Sequence, residues 1–432
     1  MDKSAFAHEM MLRYRDEIVQ VVQDLVRLPS RNTPPTGEEK ACQVYIGDYL
    51  QGVGLSADLY EPDQVPGLLD HPAYWPGRTY KDRPNVASIL AGRGGGRSLL
   101  LTGHVDTVPL GEGAWSKPPF GAEVHDGRLY GRGSIDMKGP LGAMLVLYKA
   151  LAEQQIPLRG TLSFESVVDE EVGGVNATIA GRLRYGPMEG AVLAEASQLQ
   201  IYPATRGILA TDFIFTSAEG TWLDVGSSLD KSADAVRQMG IFLTHLDELR
   251  AVRRSQPVPP LYRGYADPAP VEVTKVYAGG WGNQVPMAVP TAGYIELIVQ
   301  VLPGEDQATV ARQQKEWLES VIERNQASFA TRPQTHQRIR WLAPTAIDPA
   351  HPLVTTLADS VAQVTGQRPA ILGAPFACDM FALHQFFQTP CVVFGPIGAN
   401  AHAPDEYVDL ESLFTFWESL LQFVLAWCGW EE

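Results

Sequence analysis

Two histidines and a group of carboxylates stand along this chain wherever an apolar run gives way to a loop. His104 and Asp106 lie in Gly103-His104-Val105-Asp106, and Asp136 lies in Gly133-Ser134-Ile135-Asp136-Met137-Lys138-Gly139. Asp169-Glu170-Glu171 precede Val172-Gly173-Gly174, Glu195 follows Val192-Leu193-Ala194, and His402 sits in Ala401-His402-Ala403-Pro404-Asp405-Glu406. Each has an ordinary reading alone: an H-x-D pair closes a turn, Asp136 caps the helix after it, and three adjacent carboxylates make a solvated loop. Together they describe a metal site. Carboxylates crowded at a strand end repel one another, a bound cation relieves that repulsion, and one carboxylate can stay free as a proton acceptor. A carboxylate beside an imidazole can take its other ring N–H and fix the tautomer. Two imidazoles with three to four carboxylates suit two zinc ions, with one position left open for water. Such a pair makes the water acidic and polarises a carbonyl or phosphoryl oxygen.

These residues need a scaffold that gathers strand ends. Helical periodicity over Arg13–Leu28 stops at Pro29, and Glu38–Val53 reads as a second helix. The stretch 61–85, rich in Pro, Gly and aromatics, reads as irregular. Strands are predicted over Val86–Leu90 and Ser98–Thr102, the latter with the unbroken Leu99-Leu100-Leu101 of a buried strand. A helix over Gly139–Gln154, a strand over Thr161–Val168, a helix over Val175–Arg184 and a strand over Gly190–Leu193 continue the alternation. This pattern predicts an α/β catalytic domain with a mostly parallel sheet sandwiched by helices. Open sheets of this kind hold their sites at the carboxyl ends of the strands.

The pattern changes after Arg206-Gly207. An alternating strand over Ile208–Phe215, a helix over Ser232–Leu249, strands over Val271–Tyr277 and Ala292–Val301 and a helix over Val310–Asn325 describe an α+β insert, with an antiparallel sheet and two helices. The expected division is residues 1–206, an insert of 207–331, and a return to the first domain over 332–432. A helix over Pro352–Thr365 and a strand over Cys391–Phe394 belong to the returning part.

The chain has 432 residues, a formal charge of -16 and 45% hydrophobic residues. An acidic surface repels phosphate backbones and argues against nucleic acid as a partner. Its four cysteines form no C-x-x-C pair and read as buried apolar residues in a reducing, cytoplasmic setting. The N-terminus has no basic stretch leading into an apolar core, so no signal peptide is expected. Leu413–Trp430, interrupted by Glu418 and Gln422, reads as an amphipathic packing helix and not a membrane span.

With these blocks in order, from Arg83-Pro84-Asn85-Val86 to Ala401-His402-Ala403-Pro404-Asp405-Glu406-Tyr407, nearly the whole chain resembles a known family. This is the dinuclear zinc amidohydrolase family of acetylornithine deacetylase and succinyl-diaminopimelate desuccinylase, which also contains aminoacylases, dipeptidases and glutamate carboxypeptidases. The resemblance implies that His104 and Glu195 bind one zinc ion and Glu171 and His402 the other, with Asp136 bridging, often ahead of a cis peptide. Cobalt or manganese can stand in for zinc. It implies that Asp106 orients His104 and that Glu170 is the general base. It also implies that the insert is a lid that pairs two subunits into a homodimer, for which Ile208–Phe215 is a candidate edge strand. The expected reaction is hydrolysis of an amide bond, most simply deacylation of an N-acyl amino acid or related small-molecule amide. A dipeptidase or carboxypeptidase would use the same centre, and a metal-binding relative with little turnover is the alternative from another class.

The chain departs from the family outside the metal set. Val225 stands at the place of a lid histidine, and His245 reads as a helix-face residue. Gln300, in Ile298-Val299-Gln300-Val301-Leu302-Pro303-Gly304, replaces an arginine that binds a substrate carboxylate, and Phe381 replaces another arginine two residues after Asp379. Asn283-Gln284-Val285-Pro286 does match, which makes Asn283 and Gln300 the candidate substrate contacts. A valine donates no hydrogen bond and a glutamine offers no charged fork. The expected substrate is therefore larger, more apolar or without the usual carboxylate, with Trp222, Trp281 and Phe381 as candidate pocket aromatics. On this reading Gln300→Arg raises turnover of N-acetyl or N-succinyl amino acids.

Overall fold

The computed structural model describes residues 3–217, 234–280, 289–329 and 331–430. Val225, Trp222, Trp281 and Asn283 lie outside them. The chain forms two compact units, Met1–Thr205 with Ala346–Ala374 and Cys378–Glu432, and Arg206–Thr345 with Pro375–Ala377.

The first unit opens with helix α1 (Lys3–Arg27), which buries Phe6, Met10, Tyr14, Ile18, Val21, Val22 and Leu25 along one stripe. It begins well before the expected Arg13, because Phe6, Ala7 and Met10 extend the same apolar face. Helix α2 (Lys40–Gly52) and strands β1 (Asp58–Tyr60), β2 (Asn85–Leu90) and β3 (Leu99–His104) follow. Then come α3 (Lys138–Glu153), β4 (Leu162–Val167), α4 (Asn176–Tyr185), β5 (Ala191–Leu193) and β6 (Ile201–Thr205).

In the second unit, β7 (Gly207–Thr216), α5 (Ala235–Thr244), α6 (Leu246–Arg254), β8 (Val271–Ala278), β9 (Ala292–Val301), α7 (Gln307–Arg324) and β10 (Gln334–Gln337) succeed one another. The chain then returns to the first unit through α8 (Pro352–Thr365), β11 (Ile371–Ala374), α9 (Met380–Phe387), β12 (Cys391–Val393) and α10 (Leu410–Trp427).

Among the described residues β1 to β6, β11 and β12 share one large sheet, with the run β6-β12-β5-β3-β4-β2-β1 and β11 beside β6. Its centre is parallel: Leu101 of β3 lies opposite Phe164 of β4 and Val192 of β5, and Val192 lies opposite Val392 of β12. Outside these strands, β2 against β4, β1 against β2 and β6 against β12 are antiparallel. The sheet is thus mixed around a parallel centre. All six residues of β3 are buried, as a strand covered on both faces requires. Because β3, β4, β5 and β12 run the same way, the loops after them leave from one edge, and these loops carry the candidate ligands. Helices α1, α3, α8 and α10 pack with the sheet in one continuous core.

The second unit has an antiparallel sheet in the order β8-β9-β7-β10. Phe213, Phe215, Leu297 and Val299 of the sheet pack with Phe242, Trp317 and Val321 of the helices. Three expectations are corrected here. The unit runs to Thr345 and not 331, because β10 pairs with β7 and Leu342 bridges Ile208. The Ile208–Phe215 strand is internal, with β9 and β10 on its two sides, so β8 and β10 are the edges. The single helix expected over Ser232–Leu249 is broken at His245, whose φ of -93° and ψ of 2° end α5 and begin α6. His245 pairs with Glu248, and its carbonyl accepts the indole N–H of Trp317, a packing role. Phe381 is buried against Phe386 and is core.

Leu101 is fully buried in β3. Leu101→Ala is expected to cost about 2–5 kcal/mol of stability, read as a lower urea midpoint of the first unit.

Candidate metal centre

The parallel edge brings together every ligand and acid–base residue that the sequence nominated. His104 Nε2 lies 3.1 Å from Asp136 Oδ1, 3.3 Å from Glu195 Oε1 and 3.9 Å from Glu170 Oε2. His402 Nε2 lies 3.1 Å from Asp136 Oδ2 and 2.8 Å from Glu171 Oε2. The two oxygens of Asp136 therefore face different imidazoles. His104 is buried, whereas His402 is half exposed. The Asp136–Met137 peptide is cis, as the resemblance implied.

The orientation of His104 differs in one detail from expectation. Its Nδ1 is 3.0 Å from the main-chain carbonyl of Asp106 and 3.6 Å from the carboxylate Oδ1. The other carboxylate oxygen of Asp106 accepts the Glu171 backbone N–H at 3.1 Å and the Asn32 amide at 2.8 Å. Asp106 thus reaches two ligand loops: its carbonyl holds the imidazole, and its carboxylate holds the Glu170–Glu171 turn.

That turn starts at Asp169, whose φ is 64°. Asp169 accepts hydrogen bonds from Tyr80 at 2.6 Å and Arg78 at 3.1 Å. A side chain at Gly174 would put its Cβ 1.7 Å from the Asp169 carbonyl oxygen, so glycine is required at that close approach. Glu406, quoted in the last motif without a role, accepts the backbone N–H groups of Ile135 and Asp136 and pairs with Arg132 at 2.6 Å. It fixes the loop that presents Asp136. Asp379 is buried and hydrogen-bonded by Thr178. The sequence shows none of these partnerships, since the partners are far apart along the chain.

Burial and mutual repulsion govern the electrostatics. At Glu170, burial and the charges of Asp379, Glu195 and Glu171 outweigh His104 and push the carboxyl well above its usual range. Burial, then Asp136, pushes Glu171 up to about 7. Burial also raises Asp379 to about 7. Burial opposes charge on His402, but hydrogen bonds to Asp136 and Glu171 outweigh it and push the ring up to about 11. His104 is raised in the same way, with the charge of Glu195 foremost against burial. Asp136 is held low despite burial by its hydrogen bonds to both imidazoles.

Two groups could each hold a metal ion, His104 with Asp136 and Glu171 and His104 with Glu170 and Glu195, the donor atoms within each group lying within 4.8 Å of one another. Among the described residues no lysine or arginine lies within ion-pair distance of Asp136, Glu170, Glu171 or Glu195. Four carboxylates and two imidazoles in a largely buried space fit divalent cations, which neutralise the excess charge and take N and O donors.

In the second unit, Gln300 on β9 accepts a hydrogen bond at 2.6 Å from Arg206. Arg206 also donates to the carbonyls of Pro375 and Asp267, and its guanidinium lies over the rings of Tyr262 and Tyr265. Burial lowers its pKa.

Residues 100–426 match the model of peptidase family M20/M25/M40. The chain belongs to that family. As an M20 protein it is a metal-dependent hydrolase of amide bonds. It is 25% identical to the N-formyl-4-amino-5-aminomethyl-2-methylpyrimidine deformylase of Bacillus subtilis, over 99% of both chains. It is 28% identical to the succinyl-diaminopimelate desuccinylase of Maricaulis maris, over 78% of this chain and 84% of that one. In structure it is similar to human carnosine dipeptidase 1, with a TM-score of 0.75 at 15% identity over 98% of this chain and 99% of that one.

If His402 and Glu171 ligate a metal ion, their raised proton affinities would set the pH dependence of its binding. Without metal, His402 carries a proton below about 11 and Glu171 below about 7. A metal ion must displace those protons, so binding releases them and its apparent affinity rises with pH, about tenfold per unit for each proton released. Calorimetric Zn2+ titration at pH 8 in buffers of different ionisation enthalpy is expected to show at least one proton released, and weaker binding at pH 6.

Proposed function

We propose that this chain hydrolyses a short N-acyl group from an amine that carries no free carboxylate, using two zinc ions. The observation that carries the two-ion reading is Asp136, with one carboxylate oxygen on the His104 side and the other on the His402 side. His104 with Glu195 would hold one ion, Glu171 with His402 the other, and Asp136 both. Bound there, the ions supply Lewis acidity and lower the pKa of water. Glu170 is the proton carrier: burial among carboxylates lifts its affinity for a proton toward the range a general base needs. It takes a proton from water and returns it to the departing nitrogen. Asp106 keeps Glu170 and His104 in register by holding the backbone N–H of Glu171 and the ring Nδ1.

The substrate class rests on Gln300 and on the deformylase likeness. The resemblance places a carboxylate-binding arginine at 300. Here that position is a neutral amide whose oxygen is engaged by Arg206. The compound in the deformylase's name is a formamide of a pyrimidine and contains no carboxylate. Gln300→Arg would set two guanidiniums side by side, so the gain on N-acetyl amino acids expected from sequence is offset by that repulsion. We also take the protein to be a homodimer paired through an edge of the second unit's sheet, β8 or β10. Sedimentation velocity tests this reading, and a monomer at micromolar concentration counts against it.

The zinc-loaded protein is expected to cleave N-formyl and N-acetyl arylmethylamines with at least about tenfold higher kcat/KM than N-acetyl amino acids, and the reverse order would overturn the substrate class. Glu170→Gln is expected to lose about 10²–10⁴-fold in kcat while still binding two metal equivalents. Full metal loading with no turnover on either series would instead support a ligand-binding role.

A further inference from the structure

We propose that Asn32 is a positioning residue of the metal centre, acting through Asp106 and Asp169; this rests on the two-metal reading of the site. The segment from Leu28 to Asn32, between α1 and α2, joins three ligand loops. The buried Lys138, just after Asp136, donates from Nζ to the carbonyl of Leu28 at 2.6 Å and of Leu25 at 3.1 Å. Ser30 Oγ donates to the carbonyl of Val105 at 2.7 Å, beside His104. The Thr107 N–H donates to the Ser30 carbonyl, and the Asn32 N–H donates to the Thr107 carbonyl, both at 2.9 Å. The segment is thereby fastened to the loops that present His104 and Asp136.

The side chain of Asn32 reaches the third loop. Its Nδ2 lies 2.8 Å from Asp106 Oδ2 and 3.2 Å from Asp169 Oδ1, and its Oδ1 accepts from Arg83 Nη2 at 3.4 Å. Both carboxylates are fully buried, and Asn32 is 1% exposed. A primary amide has two N–H donors on one nitrogen, so Asn32 serves one carboxylate with each. It adds no charge where Glu39, Asp106 and Asp169 already crowd. Asp106 holds the ring of His104 and the N–H of Glu171, and Asp169 is bonded covalently to Glu170. The amide therefore sets the spacing between the imidazole on β3 and the Glu170–Glu171 turn after β4. An aspartate has the same size but donates nothing and adds a buried charge. An alanine leaves both carboxylates one donor short.

The test compares Asn32→Ala and Asn32→Asp with the unaltered protein, using Co2+ as the probe and Arg31→Ala, at an exposed neighbour, as the control. Visible absorption of the Co2+-loaded proteins reports ligand geometry, and titration reports the affinity of each equivalent. Asn32→Ala is expected to fold, to bind at least one Co2+ about 10–100-fold more weakly and to show an altered spectrum. In the zinc form its kcat should fall at least about tenfold with KM within about twofold. Asn32→Asp is expected to be worse than Asn32→Ala in both measurements despite its matching size, an order that loss of packing does not produce. Co2+ affinities and spectra in both variants like those of Arg31→Ala, or an aspartate variant equal to or better than the alanine one, would overturn the proposal. If Asn32→Asp does not fold, the spectrum and the kcat-against-KM split of Asn32→Ala decide. The Co2+ readout needs no substrate. If the unaltered protein binds two Co2+ yet cleaves no amide, the hydrolytic reading fails while the Asn32 test still stands.

Discussion

The structure depends on the repulsion among carboxylates gathered at one edge of a parallel sheet. Asp106, Asp169, Glu195, Asp379, Glu39 and Glu406 are all buried, and leaving such charges uncompensated would cost several kcal/mol each. The chain resolves the problem in two ways. Supporting carboxylates are matched by protein cations: Arg83 pairs with Glu39, Arg78 with Asp169 and Arg132 with Glu406. Among the described residues, the central set of Asp136, Glu170, Glu171 and Glu195 has imidazoles as its only ionic partners. This partition separates the parts. Asp106 and Asp379, which have no guanidinium, are held instead by hydrogen bonds, from Asn32 and the Glu171 N–H to the first and from Thr178 to the second, so the candidate ligands are the carboxylates whose charge is left for a cation from solution.

The parallel centre of the sheet makes this arrangement possible. In an antiparallel sheet, successive strands would deliver their following loops to opposite edges. Here β3, β4, β5 and β12 share one direction, so His104, the Glu170–Glu171 turn, Glu195 and the approach to His402 meet. Asp136 arrives from the turn ahead of α3, held by Glu406 from the His402 loop. The site is thus closed by contacts between loops far apart in sequence, and the strands themselves supply only direction and spacing.

That division explains what could be read from the sequence. The apolar run Leu99-Leu100-Leu101 announces a buried strand, and helix α8 is legible to the residue because Pro352 opens it and Gly366, at a φ of 73°, closes it. The candidate ligands could be nominated because their side-chain types stand at strand ends. Other elements are silent. β10 has four polar, exposed residues and no alternation, so the insert appeared to stop short of it. β6 is interrupted by Pro203 and does not look like a strand. The supporting residues are silent for a different reason. Asn32 reaches Asp106 and Asp169 across 74 and 137 positions, and Glu406 reaches Ile135 across 271. No local pattern encodes such a contact, and an asparagine after a helix reads as an ordinary turn residue.

The same reasoning bears on the second unit. Gln300 looked like the loss of an arginine, but its side chain holds a guanidinium already present nearby. Arg206 is buried, its hydrogen-bond partners there are neutral oxygens, and two tyrosine rings flank it. Among the described residues no carboxylate lies within ion-pair distance of it. A second guanidinium at 300 would double the positive charge in a space whose burial already lowers the pKa of the first. A neutral acceptor at 300 is therefore what Arg206 requires. The departure at 300 belongs to a self-consistent local arrangement, whereas the metal-binding set is built from other residues and in the other unit.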